Sequence, residues 1–145
     1  MQGEYEPSPS RWAADQVAAY EASGGREGNL MNGLPVVILT TRGRRSGKLR
    51  KSPLMRVEHG GAYAVVASQG GADEHPEWYL NLVADPAVAL QDGPVAVDMA
   101  ARVLTGDGRA QWWARAAAAF PTYDTYQQKT TREIPVVLVE PHVSR

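Results

Sequence analysis

The sequence predicts an antiparallel β-barrel with peripheral helices, an α+β chain that is mainly β. Three observations carry this. Apolar, β-branched runs of strand length recur along the chain. Most connections between them are short enough for antiparallel neighbours. The strict strand–helix alternation of a doubly wound parallel sheet is missing. With 145 residues and 43% hydrophobic content, the chain is long enough for one domain with its own core. Residues 1–32 read as an N-terminal helix and loop, and residues 33–145 as the barrel.

The elements follow in order. Ser8-Pro9-Ser10 opens the first helix, with Ser8 as its cap and Pro9 in its first position. RWAADQVAAYEA continues it, with Trp12, Val17 and Tyr20 as its apolar face, until Gly24-Gly25. Leu34 to Thr41 is a strand, Pro53 to Glu58 a second and Tyr63 to Ser68 a third, the last two joined by the turn at His59-Gly60-Gly61. Pro76 begins a short helix that ends at Asp85-Pro86. Val88 to Gln91 and Val95 to Val103 flank Asp92-Gly93, a hairpin signal. Gly106 to Phe120 is helical, with Trp113 and Ala117 on one face, and IPVVLVE closes the chain as a strand.

Composition excludes several chemistries. There are no cysteines, hence no disulfides, thiolate metal sites or cysteine nucleophiles. No run approaches the ~18 apolar residues of a membrane span. The opening MQGEYEPSPSRW lacks the apolar core of a secretory leader, so a cytoplasmic protein is expected. His59, His75 and His142 show no metal-ligand spacing, and no Ser–His–acid set can be argued. Without an evident acid, base or nucleophile, an enzyme here needs a cofactor to carry its chemistry.

Net charge is −1, but its distribution is uneven. From Gly28 to Val57 there is no acid, while Arg42, Arg44, Arg45, Lys48, Arg50, Lys51 and Arg56 place +7 in that window. Such asymmetry points to an anionic partner. GRRSGK resembles a phosphate loop but is one residue short of G-x-x-x-x-G-K, and Leu49 replaces the magnesium-binding hydroxyl. The remaining chemistry is still specific. Gly43 and Gly47 allow close backbone approach, Arg44 and Arg45 offer planar forks, Ser46 a hydroxyl, and Lys48, Arg50 and Lys51 extend the field. No cationic recognition helix or exposed aromatic ladder accompanies them, which disfavours nucleic acid. A small polyanionic ligand fits better.

Two further clusters stand out. In ASQGGADEHPEWYLNLVADP, the tight turn after Ser68 exposes backbone amides that can bond a flat heterocycle, and Trp78 and Tyr79 can pack on a ring. Asn81, a polar amide among apolar helix residues, needs a partner if buried. In FPTYDTYQQKTTR, Tyr123 and Tyr126 share a face on a helical turn.

TTRGRRSGKLRKSPL, VVASQGG, PEWYLNLVADP, PTYDTYQ and REIPVVLVEP together resemble the deazaflavin-dependent nitroreductase family, over Gly33 to Pro141. The resemblance implies a split β-barrel that binds coenzyme F420, whose flat ring carries a phosphate and a polyglutamate tail. It implies hydride transfer to a quinone, enone or nitroaromatic small molecule. Arg44, Arg45, Ser46, Gly47 and Lys48 would hold the phosphate region. Arg50, Lys51, Ser52, Pro53, Leu54 and Met55 would run beside the cofactor, with Arg50 and Lys51 meeting its charges. Val66, Ala67, Ser68 and Gln69, with Glu77, Trp78, Tyr79, Leu80 and Asn81, would frame the ring and linker. Tyr126 would close the site and Tyr123 face the substrate, and Ser68, Tyr123 and Tyr126 are the candidate hydrogen-bond donors in catalysis. Gln69 stands where the family often has Lys, and Met55 where some relatives have Tyr. An FMN enzyme on the same fold is the alternative, although its single phosphate leaves Lys48, Arg50 and Lys51 under-used; a non-catalytic F420-binding protein is another. No metal is implied. Monomer and homodimer both remain open, and the N-terminal helix is a candidate for weak contact with the inner face of the membrane.

Overall fold

The computed structural model describes residues 1–141. Helix α1 (Arg11–Ser23) is followed by strands β1 (Leu30–Met31), β2 (Leu34–Arg42), β3 (Leu49–Met55), β4 (Glu58–His59) and β5 (Ala62–Val66). A 3-10 turn at Gln69–Gly71 leads to α2 (Glu77–Ala84). Then come β6 (Ala87–Gln91), β7 (Ala96–Val103), α3 (Gly106–Ala119), α4 (Thr122–Gln128) and β8 (Val136–Pro141).

The sheet runs β1-β2-β6-β7-β8-β5-β4, with β3 also on β2, and every strand pairing is antiparallel. One bent segment joins its two ends. Residues 49–55 pair with β2, and residues 58–59 pair with β5. The sheet therefore curls back on itself as the expected split barrel.

Side-chain alternation divides the core into layers. Val37, Leu39, Val65, Val137 and Val139 pack together with Leu82 of α2. Their neighbours Ala64, Val66, Val136 and Leu138 point the other way, against Trp112, Ala116 and Tyr123 of α3 and α4. Val36 and Ile38 meet Val17 and Tyr20 of α1. Strand β2 is thus buried on both faces, which explains its unbroken apolar run.

Several local expectations change. Helical backbone begins only at Arg11, so the cap falls to Ser10, whose hydroxyl accepts the Ala13 N–H at 3.4 Å. Ser8 instead accepts the Ser10 N–H. The second strand starts at Leu49 and stops at Met55, because the chain bends there to reach β5. On α3 Trp113 and Ala117 share a half-buried face, and the buried residues are Trp112 and Ala116, about 100° round the helix. Trp113 instead donates its indole N–H to Asp124 of α4. Trp12 is 61% exposed, in the first turn of α1. The N-terminal helix is not set apart from the barrel. The Tyr20 hydroxyl accepts the Gly93 N–H at 2.8 Å and donates to the Gln91 carbonyl, tying α1 to the β6–β7 turn.

That turn also carries a pH-sensitive contact. The Tyr63 hydroxyl donates to Asp92 at 2.6 Å. Burial, then this bond and the Asp92 charge, push its pKa up to about 12. The folded state thus prefers the protonated phenol. Its stabilisation is fully present below the ordinary tyrosine value and is lost as pH rises through about 12. Tyr63→Phe should show a shallower fall in stability between about pH 10 and 12, read from urea melts across that range. An unchanged slope would assign the alkaline loss to other groups.

Candidate active site

The basic segment forms the connection between β2 and β3. Gly43 donates its N–H to the Lys48 carbonyl at 2.7 Å, and Gly47 its N–H to the Gly43 carbonyl at 2.9 Å. Gly47 has φ +73°, and a Cβ on Gly43 would meet Ser46 Oγ at 2.8 Å, so both glycines are required by this turn. Asn81 fixes the loop to α2. Buried at 6% exposure, its Oδ1 accepts the Arg44 N–H at 3.1 Å and its Nδ2 donates to Thr41 Oγ1 at 3.2 Å. The polar amide in an apolar helix therefore has the partners its burial requires.

Two adjoining cavities open beside this loop. The first, about 550 Å³, is lined by Arg44, Arg45, Ser46, Arg50, Lys51, Ser52, Glu77, Trp78 and Asn81, together with Glu6, Ser8, Pro9, Ala13 and Gly43. The second, about 520 Å³, is lined by Ser52, Pro53, Leu54, Met55, Val66, Ser68, Gln69, Trp78, Tyr123 and Tyr126. Ser10, Trp12, Ala13, Met31, Asn32, Gly70, Pro76 and Phe120 complete it. Ala13, Ser52 and Trp78 belong to both, so a cationic cavity directly adjoins an aromatic one.

Five of the expected contact residues line neither cavity. Ala67 is fully buried in the core, since alternation along β5 and its extension turns it away from Val66 and Ser68. Tyr79 packs on the core and against the His75 ring. Leu80 lies on the same helix, turned from the cavity side held by Trp78 and Asn81. Gly47 shapes the turn, and Lys48 pairs with Glu4 outside the cavity.

The electrostatics also differ from a bare cationic patch. Arg50 pairs with Glu6 at 2.8 Å, Arg44 with Glu77 at 3.3 Å, and Lys51 with Glu21. Arg42 meets Asp85, and Arg56 meets Asp92 and Glu58. Acids absent from the segment in sequence arrive from elsewhere in space. Among the described residues, Arg45 is the one cation of the seven with no carboxylate partner.

At the aromatic end, Tyr123 is buried and Tyr126 half-buried, with ring centroids 6.4 Å apart. Phe120 packs edge-on against both. Burial, then the neighbouring Tyr126, raises the Tyr123 pKa, so its hydroxyl stays protonated through neutral and alkaline pH. Ser68 is 8% exposed at the start of the 3-10 turn. Arg132, which sequence reasoning missed, holds that turn: it donates to the Ser68 carbonyl at 2.9 Å, the Ala72 carbonyl at 2.8 Å and His75 Nδ1 at 3.0 Å. Burial and Arg132 both lower the His75 pKa, keeping Nδ1 an acceptor. Gly71, at φ +84°, lies so close to α4 that a Cβ would sit 2.8 Å from the Tyr126 carbonyl. Turn and α4 therefore form one wall. His142 lies outside the described residues, and no His, Asp or Glu cluster able to hold a metal occurs among them.

Residues 12–141 match the model of the family described as F420H(2)-dependent quinone reductase. The chain belongs to this family. An F420H(2)-dependent quinone reductase of Mycobacterium tuberculosis (strain ATCC 25618 / H37Rv) is 33% identical over 143 residues, covering 90% of this chain and 96% of the relative. A solved structure described as an F420-H2 dependent reductase, FDR-A, is 52% identical with a TM-score of 0.70, over 73% of this chain and 94% of that one. Another, described as a domain-swapped dimer, is 45% identical with a TM-score of 0.73, over 92% and 100%. The quinone reductase family thus shares the split barrel expected from the sequence.

The donor set suits the cofactor named by the family. A ligand with a flat ring at one end and several anionic groups at the other matches an aromatic cavity adjoining one bearing Arg44, Arg45, Arg50 and Lys51. No helix among the described residues is long and apolar enough to cross a membrane.

Proposed function

We propose that this protein is an F420H2-dependent quinone reductase. The carrying observation is that the cationic and aromatic cavities lie side by side, with Ser52 and Trp78 lining both. In this reading Arg44, Arg45, Ser46, Arg50 and Lys51 hold the phosphate and tail. Ser52 to Met55, Val66, Ser68, Gln69 and Trp78 frame the ring. When bound, reduced F420 supplies a hydride from one ring carbon.

The protein's own contribution is placement and charge. Trp78 and the β3 wall set the depth of the ring, and Phe120, Tyr123 and Tyr126 cover the opposite side and exclude water. The acceptor lies between, in contact with Met55 and the two tyrosines. As an oxygen of the quinone gains negative charge, the Tyr123 hydroxyl donates a hydrogen bond to it, with Ser68 and Tyr126 as further donors. The raised Tyr123 pKa keeps that proton in place. Trp12, exposed at the cavity mouth, is the group through which α1 meets a lipid-held acceptor at the inner face of the membrane.

Fluorescence titration with F420 beside FMN, followed by turnover of F420H2 with a soluble benzoquinone, tests the reading. Saturable, salt-sensitive F420 binding, weak FMN binding and quinone-dependent oxidation are expected. Preference for FMN would keep the fold and overturn the cofactor. Binding without turnover on quinone, enone or nitroaromatic acceptors would make the protein a carrier.

A further inference from the structure

Residues 2–6 form a strap along the edge of β3. Tyr5 bridges Leu49 in parallel, the Glu6 N–H donates to the Leu49 carbonyl at 2.9 Å, and the Leu49 N–H to the Glu4 carbonyl at 2.7 Å. Arg42 donates to the Gln2 carbonyl, and Lys51 sits over the Tyr5 ring. Extended backbone places Glu4 and Glu6 on one side and Tyr5 on the other. That register delivers Glu4 to Lys48 and Glu6 to Arg50. Glu6 alone of the two lines the cationic cavity.

We infer that Glu6 is a specificity-determining residue of the anion cavity. It occupies Arg50 until an anionic ligand displaces it, so that ligands are selected by their number of negative charges. The inference rests on the F420 reading given above. A monoanion that replaces Glu6 on Arg50 exchanges one carboxylate contact for another and leaves the Glu6 charge nearby, so it gains little. A ligand with several charges also reaches Arg45, which no described carboxylate occupies, and adds contacts that Glu6 does not offset. The exchange is accessible because both partners are partly exposed, 31% for Arg50 and 43% for Glu6. Glu77 on Arg44 acts in the same sense from the opposite wall.

The test uses the full chain with Glu6→Gln, and Glu4→Gln as a neighbour outside the cavity. F420 is titrated by fluorescence at low and high salt. The deazaflavin riboside, which lacks phosphate and tail, serves as the ring-only control, and inorganic phosphate as a small competing anion. Glu6→Gln should bind F420 about three- to tenfold tighter at low salt, with the gain shrinking as salt screens the charges. Phosphate should gain by a larger factor than F420, so that the preference for the polyanion narrows, and the riboside should bind unchanged. Glu4→Gln should stay close to wild type. If the wild type binds F420 and Glu6→Gln binds it no tighter, or tightens the riboside equally, the selectivity role is overturned while the cofactor reading stands. If the wild type does not bind F420, the cofactor reading fails and the proposal falls with it.

Discussion

Replacing Arg50 and Lys51 together by Glu is expected to weaken F420 binding by about a hundredfold. The two side chains line the cationic cavity side by side on β3. Reversal changes the local charge by four units, and each repelled contact in a partly exposed site removes about 1.4 kcal/mol, a factor of ten. Glu6 of the strap and Glu21 of α1 reinforce the effect, because they then face like charges where they now pair. High salt on the wild type should reproduce part of the loss. The deazaflavin riboside should bind both proteins alike, which separates a lost anion site from a damaged fold. F420 affinity equal to wild type would remove these residues from tail binding.

The second large effect is on stability and binding together. Asn81→Leu keeps the branching at Cγ in a slightly larger side chain but deletes both hydrogen bonds. Thr41, fully buried, then loses its side-chain donor, and the Arg44 N–H loses its acceptor. An unsatisfied buried polar group costs about 1–3 kcal/mol. For a domain of this size about 2 kcal/mol corresponds to a Tm lower by roughly 6–10 °C. F420 affinity should also fall several-fold, since the Gly43–Gly47 turn loses its anchor on α2 while its cations stay intact. A lower Tm with full affinity would show that the turn holds its shape without Asn81.

The strands, the helices and their order follow from local pattern. β2 reads as a strand because Val36 to Leu39 are apolar and mostly β-branched, and Asp92-Gly93 marks the β6–β7 hairpin without tertiary information. α4 was visible only as a tyrosine pair three residues apart. Rotational detail was less legible: Trp113 and Ala117 share a face, but the apolar pattern of that Ala-rich helix is too weak to single out Trp112 and Ala116 as its buried residues.

The site shows the same division. Arg44, Arg45, Arg50 and Lys51, the 68–69 turn and the two tyrosines could be picked out because their residue types are costly to place without a use. Trp12, Phe120, Glu6 and Arg132 escaped, since each is ordinary in its own segment and gains meaning only from a distant neighbour. The acidic opening, Glu4 and Glu6, was a readable complement to the basic window, but nothing local says that the two meet.

By itself, then, the sequence determined the fold class and the chemical character of the candidate site, and its motifs taken together carried the resemblance to the family. Fold class and chemical character depend on periodicity, turn chemistry and clustered charge, which are properties of neighbouring residues. Tertiary structure alone decided which cations are already paired, that the basic and aromatic regions share one wall at Ser52 and Trp78, and that Arg132 pins the turn beneath Ser68. Charge pairing and cavity shape depend on distance in space, and residues 44 apart in the chain, such as Glu6 and Arg50, meet at 2.8 Å only once the sheet has curled.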